Sequence, residues 1–328
     1  MVKTIKIKGE KPYGVLVALD GRKYLPYSLN GAKKVLIVSD EGVFKLHGDM
    51  LKRIVKGACD SVYTFIYPST ENGKGKHVLD KLFILMTELN ITKDDCIIAF
   101  GNQTVASLVG FASAVFKGGV PYIYIPTTFL SMLNCASKKR ASIDFIGKNE
   151  LLSVANSPVA VFVDPYFLAT NKEQDLQDGY AEAIRLFMAM DKNALLLLEK
   201  GDMPLEDLIY KIIKIKATPN KKQAFAMLFS NAIQSAGAIN PTYSKLVASG
   251  IMSAIDAGMT LGVCEDVEQR VALLFKKFNV NFDAGVSSDK MWEQILSVEN
   301  KKINLILPSG FGSVRIIQKT KEKIKETF

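Results

Sequence analysis

The feature that most constrains this chain is a run of short apolar segments that alternate with helical stripes through its first half. Val35 to Ser39, Val62 to Tyr67, Ile97 to Phe100, Val120 to Ile125 and Val159 to Val163 are rich in β-branched and aromatic residues and short enough to be strands. Between them, Val78 to Leu89 places apolar residues at helical spacing. Val105 to Phe116 follows Ile97–Phe100 through the turn Gly101-Asn102-Gln103-Thr104. Strands apolar on both faces and separated by helices predict a parallel sheet covered on both sides, a Rossmann-like nucleotide-binding domain. Ile5 to Leu19 reads as further strands, with turns at Gly9-Glu10-Lys11-Pro12 and Asp20-Gly21.

The second half changes period. Gln174 to Met190, Leu205 to Lys214, Lys221 to Ala236, Tyr243 to Met259 and Glu265 to Phe278 read as helices, punctuated by Gly and Pro turns. A helix around Trp292 and strand-like runs Ile303–Leu307 and Val314–Ile317 close the chain. The expected fold class is therefore α/β plus α, with 1–163 a Rossmann-like domain and 164–328 a mostly helical one. A chain of 328 residues suits two domains.

Cys96 to Phe116 carries no charge and is long enough to span a bilayer, but its polar Gly101–Thr104 turn favours strand, turn and buried helix. No membrane partner is expected. The net charge is +9, from lysines spread along the chain and no nucleic-acid motif, so no nucleic-acid partner is expected either. Cys59, Cys96, Cys135 and Cys264 share no metal-like or redox-like spacing, which points to the reduced cytoplasm.

Several local sequences, in unbroken order, resemble the 3-dehydroquinate synthases, which are similar to the wider sugar-phosphate cyclases. They are Phe100–Phe111, Pro126-Thr127-Thr128-Phe129-Leu130, Gly147-Lys148-Asn149, Val161–Asp164, Phe167–Thr170, Gly179-Tyr180-Ala181-Glu182, Asn300-Lys301-Lys302, Leu307-Pro308 and Gly312. The resemblance implies NAD in the first domain and a divalent metal, usually zinc. It implies oxidation of a hydroxyl of a seven-carbon sugar phosphate, loss of phosphate, re-reduction and aldol closure of a carbocycle. It also implies a homodimer.

Carried over residue by residue, the resemblance places Asp40, Glu71, Lys74, Gly101, Thr127, Thr128 and Thr170 at cofactor positions. It places Arg140, Lys148, Asn149, Arg185 and Asn231 at substrate or catalytic positions, with Lys216 and Lys302 as further cations. Asp144 stands where the family has asparagine, and Asn134 where it has aspartate. The glycine-rich turn keeps Gly101 alone; Asn102 and Gln103 replace glycines and Ser107 replaces an acid. NAD stays a candidate cofactor, with this damaged turn against it.

Of the metal ligands only Glu182 remains; the histidine positions hold Met227 and Tyr243 or Ser244, and Asn231 replaces a catalytic histidine. Thioether and neutral phenol are poor zinc ligands, so zinc is expected to be absent. On this reading Glu182 pairs with Arg185 on a helix surface for about 0.2–0.5 kcal/mol, and Glu182→Ala leaves folding nearly unchanged. The expected function is that of a degenerate homologue that has lost most or all of the cyclisation and binds a small phosphorylated sugar-like ligand or a partner. The alternative is an active divergent 3-dehydroquinate synthase, or a related NAD-dependent cyclase of the carbon–oxygen lyase type, in a shikimate-type pathway with substitute ligands.

Overall fold

The structure, a computed structural model, describes residues 2–9, 12–29, 31–136, 140–264 and 267–328. The chain divides into two compact units, Met1–Asn171 and Lys172–Phe328.

In the first unit, strands β1 (Lys3–Ile7), β2 (Tyr13–Val17), β3 (Lys34–Asp40), β4 (Ser61–Tyr67), β5 (Cys96–Gly101), β6 (Tyr122–Pro126) and β9 (Ala160–Val163) form one sheet in the order β1-β2-β9-β6-β5-β3-β4. Six of these strands run parallel, and β1 pairs antiparallel with β2 at the edge. Every residue of β5 and β6 is buried, as expected for strands covered on both faces. The uncharged stretch Cys96–Phe116 is thus β5 followed by helix α4 (Gln103–Val115). No described helix is long and apolar enough to cross a membrane. Helices α1 (Leu25–Ser28), α2 (Glu41–Lys56), α3 (Lys76–Glu88) and α5 (Phe129–Asn134) complete the alternation.

One element of this unit was not foreseen. β7 (Arg140–Phe145) and β8 (Lys148–Ala155) pair as an antiparallel hairpin. Its two-residue turn, Ile146-Gly147, has φ of 45° and 75°. Positive φ at both positions matches hairpin twist, but a β-branched residue there is rare, so the sequence offers no turn signal.

The second unit is helical: α6 (Glu173–Met190), α7 (Lys192–Lys200), α8 (Leu205–Ala217), α9 (Met227–Ser235), α10 (Tyr243–Thr260), α11 (Glu268–Lys277) and α12 (Ser288–Ser297), then the hairpin β10 (Lys302–Gly310) and β11 (Ser313–Thr320) and the short α13 (Lys321–Lys325). Helix α7 was not anticipated. The expected helix Lys221–Ala236 is in fact a 3-10 turn, Lys221–Ala224, followed by α9. Ala226 breaks it at φ 63°. The cause is tertiary: the Arg185 guanidinium binds the carbonyls of Gln223 and Phe225, and a cation on those oxygens removes the reason to continue the helix. The expected start of the next helix, Glu265, lies outside the described residues.

Candidate functional site

In the parallel sheet, β4 lies on one side of β3 and β5 on the other. The crossovers that leave β3 and β5 therefore run in opposite directions, and the crevice beyond the carboxyl ends of these two strands is the place where such sheets take ligands. Asp40 ends β3 and Gly101 ends β5. Gly101 has φ 154°, and a Cβ on it would stand 2.7 Å from Val105 Cγ2 and 3.4 Å from Asp40 Oδ2. Only glycine fits there. Just past the end of the neighbouring strand β6, Thr127 N–H donates to the Gly101 carbonyl at 3.1 Å. The Thr127 hydroxyl is buried with no hydrogen-bond partner among the described residues. Asp40, Gly101 and Thr127 are thus brought together.

The other cofactor candidates have local employment. Asp40 also caps α2, accepting from Val43 N–H at 3.1 Å. Glu71 pairs with Lys81 at 3.2 Å. Lys74 pairs with Glu150 on the β7–β8 hairpin. Thr128 forms a capping box with Ser131 at the start of α5. The Thr170 hydroxyl donates to the Phe167 carbonyl at 3.0 Å, and sits 2.8 Å from His47 Nε2. Asn171, which sequence reasoning passed over, donates to the Thr127 carbonyl and accepts from Phe129 N–H.

A nicotinamide dinucleotide fits this unit in part. The Gly101 cradle and the orphaned Thr127 hydroxyl suit it. Two first-turn donors of α4 are already taken, which counts against a pyrophosphate there: the Asn102 amide oxygen accepts from Thr104 N–H at 2.9 Å and Val105 N–H at 3.3 Å. The altered positions Gln103, Ser107, Asn134 and Arg140 do converge, around a cavity of about 30 Å³ shared with Tyr122, Tyr124 and Asn156. Such a space has room for about one water molecule. Arg140 is exposed and spends its guanidinium on Ser153 of β8, at 2.8 Å. Lys148 and Asn149 are exposed at the start of β8. Asp144 accepts from Asn72 Nδ2 at 2.9 Å and Glu150 N–H at 2.7 Å; these bonds hold its carboxyl below the usual range.

In the second unit Glu182, which the resemblance places at a metal site, belongs to a buried ion-pair network. Glu182 sits on the inner face of α6 with 1% of its surface exposed. Arg185 Nε donates to its Oε2 at 2.8 Å and Arg185 Nη2 to its Oε1 at 2.9 Å. Lys216, near the end of α8, donates to Oε1 at 2.5 Å, and the Tyr243 hydroxyl, at the start of α10, donates to Oε2 at 2.8 Å. A carboxylate offers about four lone-pair sites, and four donors fill them. Burial alone would raise the Glu182 pKa, but Arg185 and then Lys216 override it and hold the carboxyl far below its usual 4.5. Burial, then the Glu182 charge, pushes the Tyr243 phenol well above 10, so it stays a donor.

This corrects the surface reading of Glu182: the pairing with Arg185 is present, but it is buried and belongs to a four-residue network. Two further expectations shift with it. Met227 lines a separate cavity of about 320 Å³ with Lys221, Ala224, Phe229, Ile306 and Ile316. Asn231 is exposed on α9. The donor set does not fit a divalent ion: its one carboxylate is saturated, and two cations stand against it. No group of three or more His, Cys, Asp or Glu comes together among the described residues.

Comparison with known proteins places this geometry. The chain superposes with a TM-score of 0.83 on 2-deoxy-scyllo-inosose synthase complexed with carbaglucose-6-phosphate, NAD+ and Co2+, at 16% identity, covering 99% of this chain and 98% of that one. It superposes at 0.80 on ValA, the 2-epi-5-epi-valiolone synthase of Streptomyces hygroscopicus subsp. jinggangensis 5008 with NAD+ and Zn2+ bound, at 17% identity, covering 98% and 97%. The fold is that of the sugar-phosphate cyclases. In sequence, residues 64–178 match the model of the 3-dehydroquinate synthase N-terminal region. The 3-dehydroquinate synthase of Helicobacter pylori (strain HPAG1) is 30% identical over 304 residues, 87% of this chain and 88% of that protein. That of Clostridium acetobutylicum is 25% identical over 322 residues, 92% and 90%. This chain belongs to the 3-dehydroquinate synthase family, as a divergent member.

Proposed function

We propose that this chain does not carry out the metal-dependent cyclisation of a seven-carbon sugar phosphate, and that it binds a small phosphorylated sugar-like ligand without closing it into a ring. The observation that carries the reading is the saturated Glu182 carboxylate, with Arg185, Lys216 and Tyr243 on its four acceptor sites. Without an ion to polarise a hydroxyl, the first oxidation loses its Lewis acid. The ligand class is supported by the exposed cations Arg140 and Lys148 on the β7–β8 hairpin, and by the carbaglucose-6-phosphate in one structural neighbour. The deciding experiment supplies purified protein with NAD, zinc or cobalt, and the seven-carbon substrate. No cyclised product and sub-stoichiometric metal after dialysis are expected; stoichiometric zinc with ordinary turnover would sink the reading.

A second reading, an active divergent synthase, is favoured by the 30% identity that extends over 88% of the Helicobacter pylori enzyme. The same assay decides between the two.

NAD belongs to this proposal as a ligand of the first unit, held at the Asp40–Gly101–Thr127 crevice. Asn102 competes with the pyrophosphate for the first-turn donors of α4. Asn102→Gly frees those donors at a capping cost of only a few tenths of a kcal/mol. Calorimetric titration is expected to show NAD binding tightened by up to about tenfold, the worth of one net hydrogen bond. Unchanged or weaker binding would remove the competition argument.

A further inference from the structure

Arg185 alone would balance the charge of Glu182, yet the site buries a second cation. Lys216 has a side chain only 8% exposed and donates to Oε1. Burying an ammonium is costly unless it is paired and hydrogen-bonded. The fold makes specific provision to keep it there. Gln223 Nε2 donates to the Ile215 carbonyl at 2.7 Å and the Thr218 carbonyl at 2.6 Å, gripping the chain on both sides of Lys216. Arg185 in turn binds the Gln223 carbonyl, so the residue that positions Lys216 is tied to the same network. Arg185 and Lys216 together place two positive charges on one buried carboxylate, the charge that a single divalent ion would bring.

We infer that the Lys216 ammonium is the resident cation of this site, standing on Glu182 in place of the family's divalent ion, and that removing its side chain leaves a pocket that takes up a free cation. The inference rests on the reading that Glu182 holds no metal, and it adds the residue responsible. Lys216 is a positioning residue here: it holds the carboxylate and, through it, joins α8 to α6 and α10. The pocket left by Lys216→Ala keeps Oε1 exposed to whatever enters along the vacated stem. A small primary ammonium matches the lost group in charge and donors, whereas a divalent ion would bring twice its charge beside the Arg185 guanidinium that remains.

The test uses full-length protein in four forms: wild type, Lys216→Ala, Lys216→Met, and Glu182→Gln combined with Lys216→Ala. Each is melted with and without millimolar ethylammonium, cobalt or zinc, against sodium chloride of equal ionic strength. Lys216→Ala is expected to melt below wild type and to recover at least half of the loss with ethylammonium, while cobalt and zinc, offered one open carboxylate site beside Arg185, are expected to do less. Wild type, Lys216→Met (whose stem fills the gap) and the double variant are expected not to respond. If Lys216→Ala is unfolded outright, the same cations are scored by the native circular dichroism they restore. Equal melting of Lys216→Ala and wild type, or rescue that is no greater in Lys216→Ala than in the Glu182→Gln background, overturns the inference. Neither outcome depends on wild-type metal content, which by itself tests the proposed function.

Discussion

Glu182→Ala is expected to destabilise the second unit by about 3–5 kcal/mol, the cost of breaking a buried ion pair from one side. For a unit of this size that is roughly 10 °C or more in melting temperature. The reason lies in what the substitution leaves behind. Arg185 is 5% exposed, and with Glu182 gone its guanidinium loses two of its four donated bonds, keeping only the carbonyls of Gln223 and Phe225. Lys216 and the Tyr243 hydroxyl each lose an acceptor in the same place. Glu182→Gln is expected to cost less, because an amide oxygen still accepts although its NH₂ opposes a donor. Replacing Glu182, Arg185 and Lys216 together by apolar residues is expected to recover most of the loss. A melting temperature within 2 °C of wild type for Glu182→Ala, roughly the effect of an exposed pair, would contradict the buried network.

The pH dependence has a definite sign. The folded Glu182 carboxyl lies far below its usual 4.5, since Arg185 and Lys216 outweigh the burial that acts in the other direction. Its contribution to stability is therefore fully present above about pH 4.5 and is lost as pH falls toward the folded value. Between pH 5 and 8 the network should be flat. In Glu182→Gln the acid limb of the stability profile should shrink, and that difference is read directly from melts at pH 3 to 5.

How much of this was legible beforehand differs between the units. In the first, β3, β5 and β6 are written in local composition, because strands buried on both faces must be apolar throughout; the turn at Gly101 follows from backbone geometry. The hairpin β7–β8 was illegible because β8 is largely exposed and its turn places Ile146 at positive φ. In the second unit the helical period was legible, but the break at Ala226 was not. It depends on Arg185, forty residues earlier, reaching the Phe225 carbonyl. The same limit governed Glu182. A Glu three residues before an Arg on a helix reads as a surface pair until the distant Lys216 and Tyr243 are known to close over it. Side-chain type reveals that an imidazole is missing; it does not reveal which donors close over the carboxylate.

The first unit contains a comparable buried carboxylate, and its removal should be nearly as costly. Asp164 has no exposed surface. It follows β9 and accepts from Asp20 N–H at 3.0 Å, Tyr166 N–H at 3.1 Å and Arg22 Nη1 at 2.5 Å, with Arg22 N–H longer at 3.4 Å. One side chain thus ties the turn after β2 to the segment after β9, two strands that are paired in parallel. Arg22 is 8% exposed, with its guanidinium 3.9 Å from the Tyr166 ring centroid. Asp164→Ala leaves the backbone donors of Asp20 and Tyr166 unpaired, at about 1–3 kcal/mol each if water cannot reach them. The loss of the Arg22 pair is cushioned, since Arg22 Nη2 keeps Asp20 at 2.6 Å. A total of about 3 kcal/mol or more is expected, with faster amide exchange in β2 and β9. Asp164→Asn, which still accepts from backbone through one oxygen, should lose less than half as much. Were the two substitutions equally costly, charge would be the dominant contribution and the turn-closing role of Asp164 would be wrong; were both harmless, so would its burial.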